Sequence, residues 1–293
     1  MGSLYIIGNG LDLHFDLQTK PEDFENYLKK QCVYNSINNA FDELETYGVD
    51  WSDYEQSLNQ MDLDQIEEEN AVEPDYLSDH ESDRDSGILN MKYYVDSIQE
   101  AISTALRQMV DAADKKVSQL SKNRPPIKLF HNGDAILTFN YTSTVESLFC
   151  LPENVLIHHI HGCYKNNECL IFGYKRNKSS YSPAWSNLDE NSWDYYIQKQ
   201  REQVYKLYKN LEKRFQFEEL EHFLNKCAQI DNVVVLGHSM GDVDAAYMDM
   251  IEKKLHPQHW KISYYKDEDK TRVMKQNYAF MNKISFFKLS DII

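Results

Sequence analysis

Four consecutive aliphatic residues, Val233-Val234-Val235-Leu236, stop at Gly237. Three of them are β-branched, and the run is the strongest strand signal in the chain. A second short apolar run, Leu4-Tyr5-Ile6-Ile7, stops at Gly8 and reads as a buried first strand. Residues 135–139, 155–160 and 169–172 read as further strands, as do 260–265 and 284–287. The intervening stretches carry helical patterns. One helix is opened by Pro21 at its first turn. Others are expected over 36–46, 51–61, 195–227, 243–255 and 270–281. A long helix from about 88 to 120 carries Ile88, Met91, Val95, Ile98, Ile102, Leu106, Met109 and Val117 at helical spacing, and Pro125-Pro126 ends it. Strands alternating with helices predict an α/β fold: a Rossmann-like parallel sheet with helices on both faces and a helical insertion. The length of 293 residues suits one such domain over 1–293. It would hold a helical insertion at 48–134 and an aromatic, helical insertion at 176–230.

Charge limits the function classes. Residues 62–85 contain eleven acids against Arg84 alone, and such a segment is expected to be a solvated, mobile loop. The whole chain has a formal net charge of -16, so direct nucleic-acid binding is not expected. The five cysteines, Cys32, Cys150, Cys163, Cys169 and Cys227, form no CxxC pair. Their number and spacing suit reduced thiols in a cytoplasmic protein, and no metal is expected. With no signal-peptide pattern and no long apolar run, no membrane association is expected either.

In parallel α/β sheets, ligands sit beyond the carboxyl ends of the strands. Four segments fall there, each rich in polar residues and glycine. Gly8-Asn9-Gly10-Leu11-Asp12 follows the first strand; it is either a loop presenting amides to a phosphate or a plain turn with Asp12 as a helix cap. Thr138-Phe139-Asn140-Tyr141-Thr142 offers an amide able to donate and accept, or a helix-capping turn. In His158-His159-Ile160-His161-Gly162, strict alternation puts His159 and His161 on one face and His158 on the other. His161, last before the glycine, is placed to face a pocket and exchange protons. Gly237-His238-Ser239-Met240-Gly241-Asp242-Val243-Asp244 fits the G-x-S-x-G pattern of serine hydrolases. However, only His256 and His259 follow, and the intervening acids lie in or beside the next helix, leaving no room for a triad. The competing reading is an anion-facing turn with Asp242 or Asp244 capping the helix.

Together these segments resemble the AbiH family of phage abortive-infection proteins. The resemblance runs, in family order, through Ile6 to Leu13, Trp51-Ser52-Asp53-Tyr54-Glu55, Thr138 to Thr142, Ile160-His161-Gly162, Leu170-Ile171-Phe172-Gly173 and Leu236 to Asp244. Leu11 stands where the family often has Phe. AbiH proteins are in turn similar to sirtuin-like NAD-binding domains. That likeness implies that Gly8 and Gly10 form the glycine-rich turn, that Asn140 and His161 are the site Asn and His, and that Gly237 and Ser239 form the later Gly-x-Ser turn. The zinc cysteines and Pro-Asp-Phe-Arg segment of the deacetylases are absent, which turns the implication from deacetylation toward NAD hydrolysis.

The expected site therefore has Asn140 and His161 as catalytic groups. Gly8, Asn9, Gly10, Asp12, Thr138, Tyr141, Gly237, His238, Ser239, Asp242 and Asp244 would bind the nucleotide. The expected substrate is NAD, cut at the nicotinamide–ribose bond; Glu55 reads first as a surface helix carboxylate and second as one that reaches the pocket. The alternative is a non-catalytic nucleotide sensor or toxin scaffold, with a nuclease or serine hydrolase behind it. A second copy of the chain or a defence-system protein is the expected partner.

Overall fold

The structure, a computed structural model, describes residues 2–50, 57–174, 195–227 and 229–293. Its strands are β1 (Gly2–Ile7), β2 (Ala135–Thr138), β3 (Leu156–His159), β4 (Ile230–Leu236), β5 (His259–Tyr264) and β6 (Ile284–Lys288). The helices used below are α1 (Asn9–His14), α2 (Pro21–Leu28), α3 (Ala40–Thr46), α4 (Leu63–Asn70), α5 (Glu81–Asn123), α6 (Thr144–Leu148), α7 (Tyr195–Asn210), α8 (Phe217–Lys226), α9 (Ala245–Leu255) and α10 (Asp267–Lys275). The chain forms two compact units. One comprises Met1–Thr19, Met109–Ile171 and Phe215–Ile293; the other comprises Lys20–Gln108 and Phe172–Arg214.

The first unit holds one six-stranded sheet in the order β3-β2-β1-β4-β5-β6, with every neighbouring pair parallel. This is the doubly wound order, in which the strand sequence reverses between β1 and β4 and opens a crevice at their carboxyl ends. The alternation of β1 explains the two core layers. Leu4 and Ile6 pack with Val233, Val235, α8 and α9, whereas Tyr5 and Ile7 pack with Val234, Leu236, α1, α6 and the end of α5. Register aligns the strand ends: Ile7 pairs with both Thr138 and Leu236, and Thr138 pairs with His159. Gly8, Phe139 and Gly237 therefore leave the sheet at one rim.

In the second unit, Tyr47, Tyr94 and Glu43 form a buried polar knot, with 2.8 Å between the two phenol oxygens and Tyr94 donating to Glu43. The Gln200 amide pairs with both the N–H and the carbonyl of Val72 at 2.9 Å, mimicking one rung of a sheet.

Several expectations are corrected. Within residues 62–85, 63–70 and 81–85 are helical, and 71–80 form the loop between them. Asp62 caps α4 by accepting from the Gln65 N–H at 3.0 Å, Leu63 and Ile66 are buried, and α5 already begins at Glu81. Two apolar residues at helical spacing and an N-cap outweigh the repulsion that the acid count suggests. Residues 169–172 form no strand, and the helix expected over 195–227 is two helices, α7 and α8. The helix expected over 36–46 begins at Ala40, capped by Asn39, which accepts from the N–H groups of Phe41 and Asp42. Trp51 to Glu55 lie outside the described residues, as do Tyr181, Trp185 and Trp193. Of the expected helix at 51–61, the described part is a 3-10 turn, Leu58–Gln60.

The rim is held by backbone on backbone. The Gly10 N–H donates to the Gly237 carbonyl at 2.7 Å, and a Cβ on Gly10 would sit 2.7 Å from the Gly237 Cα. Gly237 itself has φ +67°, the left-handed region where glycine is favoured. Gly10→Ala is expected to cost about 2 kcal/mol through overpacking. Gly241→Ala, whose Cβ would meet only the Ser239 Oγ at 3.5 Å, should be near neutral. Denaturant unfolding of both variants checks the difference.

Candidate functional site

The site is built around the chain leaving β2. Thr138 is buried, and its hydroxyl accepts from the Asn140 N–H at 3.1 Å. This turns the segment so that the Asn140 amide donates to the Gly8 carbonyl at 3.1 Å. The next hydroxyls face Asp12: Thr142 donates to one of its carboxylate oxygens at 2.7 Å and Thr144 to the other at 2.6 Å. Ser143, the N-cap residue of α6, is held separately, its N–H donating at 2.8 Å and its hydroxyl at 3.1 Å to Asp114 on α5. Asp12 is 1% exposed. Burial pushes its carboxyl up to about 6, against the hydroxyl and amide hydrogen bonds that favour the charged form. It caps no helix: α1 starts at Asn9 with Gly8 as the N-cap.

The glycines of the first turn do a different job from the one their sequence suggests. The N–H groups of Gly8, Gly10 and Leu11 donate to Leu236, Gly237 and Gly8 at 3.0, 2.7 and 2.9 Å. These amides are engaged within the protein, and the missing side chains let two turns cross. Asn9 points away to Thr19, donating to its carbonyl at 2.7 Å and accepting from its hydroxyl at 2.6 Å.

The three histidines divide otherwise than strict alternation predicts. His158 stacks on Phe223, and His161 packs edge-on against Phe139 with centroids 5.1 Å apart; both aromatic partners belong to the same core layer. His159 lies apart from them, one nitrogen 3.0 Å from the Asn140 carbonyl and the other 2.7 Å from a Glu146 carboxylate oxygen on α6. The reason is that β3 ends at His159 and the chain turns, with Gly162 at φ +83°, so the strand period no longer applies to His161. Burial opposes a charged ring at His159, but Cys163 and Glu146 outweigh it and its pKa is pushed up to about 10. Burial also works against the Glu146 charge, yet His159 holds that carboxyl below its ordinary range.

The turn after β4 supplies the other half. Asp244 places one carboxylate oxygen 3.8 Å from His161 Nε2 and the other 3.4 Å from His238 Nε2. Phe139 lies against both imidazoles, 5.1 Å from His161 and 4.4 Å from His238. The His238 Nδ1 accepts from the Met240 N–H at 3.0 Å. Asp244 occupies the N-cap position of α9 without a side-chain capping bond. Ser239 is exposed, and among the described residues no imidazole is seen to hydrogen-bond it. Asp242 is exposed, and Tyr141 donates to the Ile171 carbonyl at 2.7 Å.

A model of the family described as bacteriophage abortive infection AbiH matches residues 4–265, from β1 through β5 and across every group just described. The chain belongs to the AbiH family. No curated protein matches it. Among the described residues no set of three His, Cys, Asp or Glu is arranged to hold a metal ion. Among the same residues no helix is long and apolar enough to cross a membrane.

Sequence reading of this AbiH chain did not pick out Thr142, Thr144, Asp114 or Glu146 as site residues. The hydroxyl run Thr142-Ser143-Thr144 directly after Asn140 is the one local signal that points to them; Asp114 and Glu146 are single acids on helices with no pattern of their own. The Asp12 arrangement has a pH signature. A carboxyl raised in the folded state favours folding below its unfolded pKa and loses that contribution as pH rises through about 6. Asp12→Asn keeps an oxygen and an amide for the two threonines. It should raise stability at pH 7 by up to ~3 kcal/mol relative to wild type, with the gain shrinking away between pH 6 and 4. Urea unfolding across that range measures it.

Proposed function

We propose that this AbiH protein acts in abortive infection by binding NAD at the β1–β4 crevice and hydrolysing its nicotinamide–ribose bond. The family supplies the defence role. The observation that carries the chemistry is the gathering of Asn140, His161, His238 and Asp244, from three segments far apart in sequence, at the rim where the strand order reverses.

In the reaction, water adds to the ribose C1′ as the bond to the nicotinamide nitrogen breaks. The ring leaves neutral with the bonding pair, giving ADP-ribose, nicotinamide and one proton. Asn140 orients the water and the ribose. His161, beside Asp244, hydrogen-bonds a ribose hydroxyl and accepts the released proton, while Asp244 stabilises the resulting imidazolium. Phe139 fixes the tilt of both imidazoles. Asn140 and His161 are 6% and 5% exposed, so substrate entry involves opening of the rim, which suits an effector held quiet until infection.

The test is NAD loss over time with purified protein, alone and with phage-infected cell extract, for wild type, Asn140→Ala and His161→Ala. Turnover by wild type and a fall of about 10² to 10⁴ in each variant, with melting curves intact, is the expected result. Binding of NAD without turnover makes the chain a nucleotide sensor instead. Neither binding nor turnover in any condition overturns the proposal.

A further inference from the structure

The feature that the proposed chemistry does not use is the pair of a covered His159 ring and the exposed Glu146 carboxylate. Three distances define it. One ring nitrogen stands 3.0 Å from the carbonyl of Asn140, the other stands 2.7 Å from the Glu146 carboxylate, and the Asn140 amide lies 3.1 Å from the Gly8 carbonyl. With both nitrogens protonated the ring is an imidazolium that donates twice, once to each oxygen. A neutral ring has one N–H and satisfies only one of them. The His159 side chain is 6% exposed and that of Glu146 31%, so water can reach the carboxylate but does not readily replace the ring at the Asn140 carbonyl.

We infer that Glu146 and His159 are positioning residues: the carboxylate holds one nitrogen of the His159 ring, and the other nitrogen fixes the peptide of Asn140 so that its side chain stays aimed at the β1–α1 turn. The inference rests on the proposed role of Asn140. It separates two histidines two residues apart in the chain: His161 exchanges protons with substrate, whereas His159 retains its proton through the working pH range.

The geometry argues against two rival roles for the pair. As a general base, His159 would need a free nitrogen, and both are committed. As a simple core filler, it would need neither the carbonyl at 3.0 Å nor the carboxylate at 2.7 Å, and an apolar ring would do as well. The groups whose charge or titration bears on the pair are Cys163 on the loop after β3, Lys165 and Asp114, which act on Glu146, and the neighbouring His158. Burial keeps the His158 pKa below its ordinary value, and His159 lowers it further. The positive charge is thus concentrated on the ring that faces Glu146.

The sign of the pH dependence follows. His159 is raised in the folded state, so its contribution is complete below the ordinary histidine pKa and fades as pH climbs toward about 10. The proposed turnover should therefore persist on the alkaline side until that group deprotonates. In Glu146→Gln the partner is neutral, His159 titrates at lower pH, and the alkaline limb moves down with it.

The experiment pairs NMR titration of the His159 ring in the full-length protein with NAD turnover, for wild type, Glu146→Gln and Glu146→Asp. In wild type, His159 should stay protonated well above neutral pH. In Glu146→Gln its titration should fall by more than one pH unit, kcat should drop by about 10- to 100-fold, KM should change little, and the alkaline limb of kcat should shift in step. Glu146→Asp should recover part of both. A Glu146→Gln protein that folds, loses the raised His159 titration and keeps its kcat and pH profile overturns the clamp while leaving the NAD reading standing. Wild-type protein that neither binds nor cleaves NAD overturns both, whatever the titration shows.

Discussion

The contact between two glycine turns is the constraint on which the molecule depends. In a doubly wound sheet the crevice between β1 and β4 exists because consecutive connections leave on opposite sides. Here the backbone of the first turn crosses the turn after β4 closely enough for the Gly10 N–H to reach the Gly237 carbonyl at 2.7 Å. No side chain fits between them. The crossing sets where α1 begins, and hence where Asp12 points. It also sets where the chain goes after Gly237, and hence where His238 and Asp244 arrive. A glycine motif that suggests ligand contact in the sequence serves first to let protein approach protein.

From that crossing the polar groups divide into a fixed half and an exchanging half. On the fixed side, Asp12 receives two threonine hydroxyls, Asp114 holds Ser143, and Glu146 holds His159. All three acids act on the short stretch from Asn140 to Glu146. Each hydrogen bond is worth on the order of 1 kcal/mol net, but leaving the buried Asp12 carboxylate without a donor costs more, so that end of the arrangement resists partial loss. On the other side, Asp244 stands between His161 and His238 at 3.8 and 3.4 Å. Those separations are longer than the 2.6–2.8 Å hydrogen bonds of the fixed side.

The layered architecture was legible because it rests on composition of short runs. Apolar β1 and β4, each ending at a glycine, need cover on both faces whatever their neighbours are. The parallel sheet and the four rim segments follow from that. What was not legible depends on where a period ends. His159 and His161 share a face only while the chain remains a strand; β3 stops at His159, and the next turn reassigns His161 to the side of Phe139 and Tyr247. In the acidic stretch, charge counted over twenty-four residues hid Leu63 and Ile66, a pair three apart that suffices to bury one face of α4. Asp114 and Glu146 were invisible for a third reason. Each is one acid among the 47 in the chain, and only the fold gives either a partner.

The same three-histidine run shows why residue type alone does not assign a role. His158 is stacked on Phe223 with burial disfavouring its charge, His159 carries a proton held by Glu146, and His161 stands open to Asp244. One side chain with one intrinsic chemistry is thus set to opposite protonation tendencies at His158 and His159 by what each ring faces. Exchange with a substrate requires a ring whose two states are close in free energy. Desolvation removes His158 from that condition and a carboxylate at 2.7 Å removes His159. The proposed reaction places proton exchange on His161, the ring beside Asp244 at the rim.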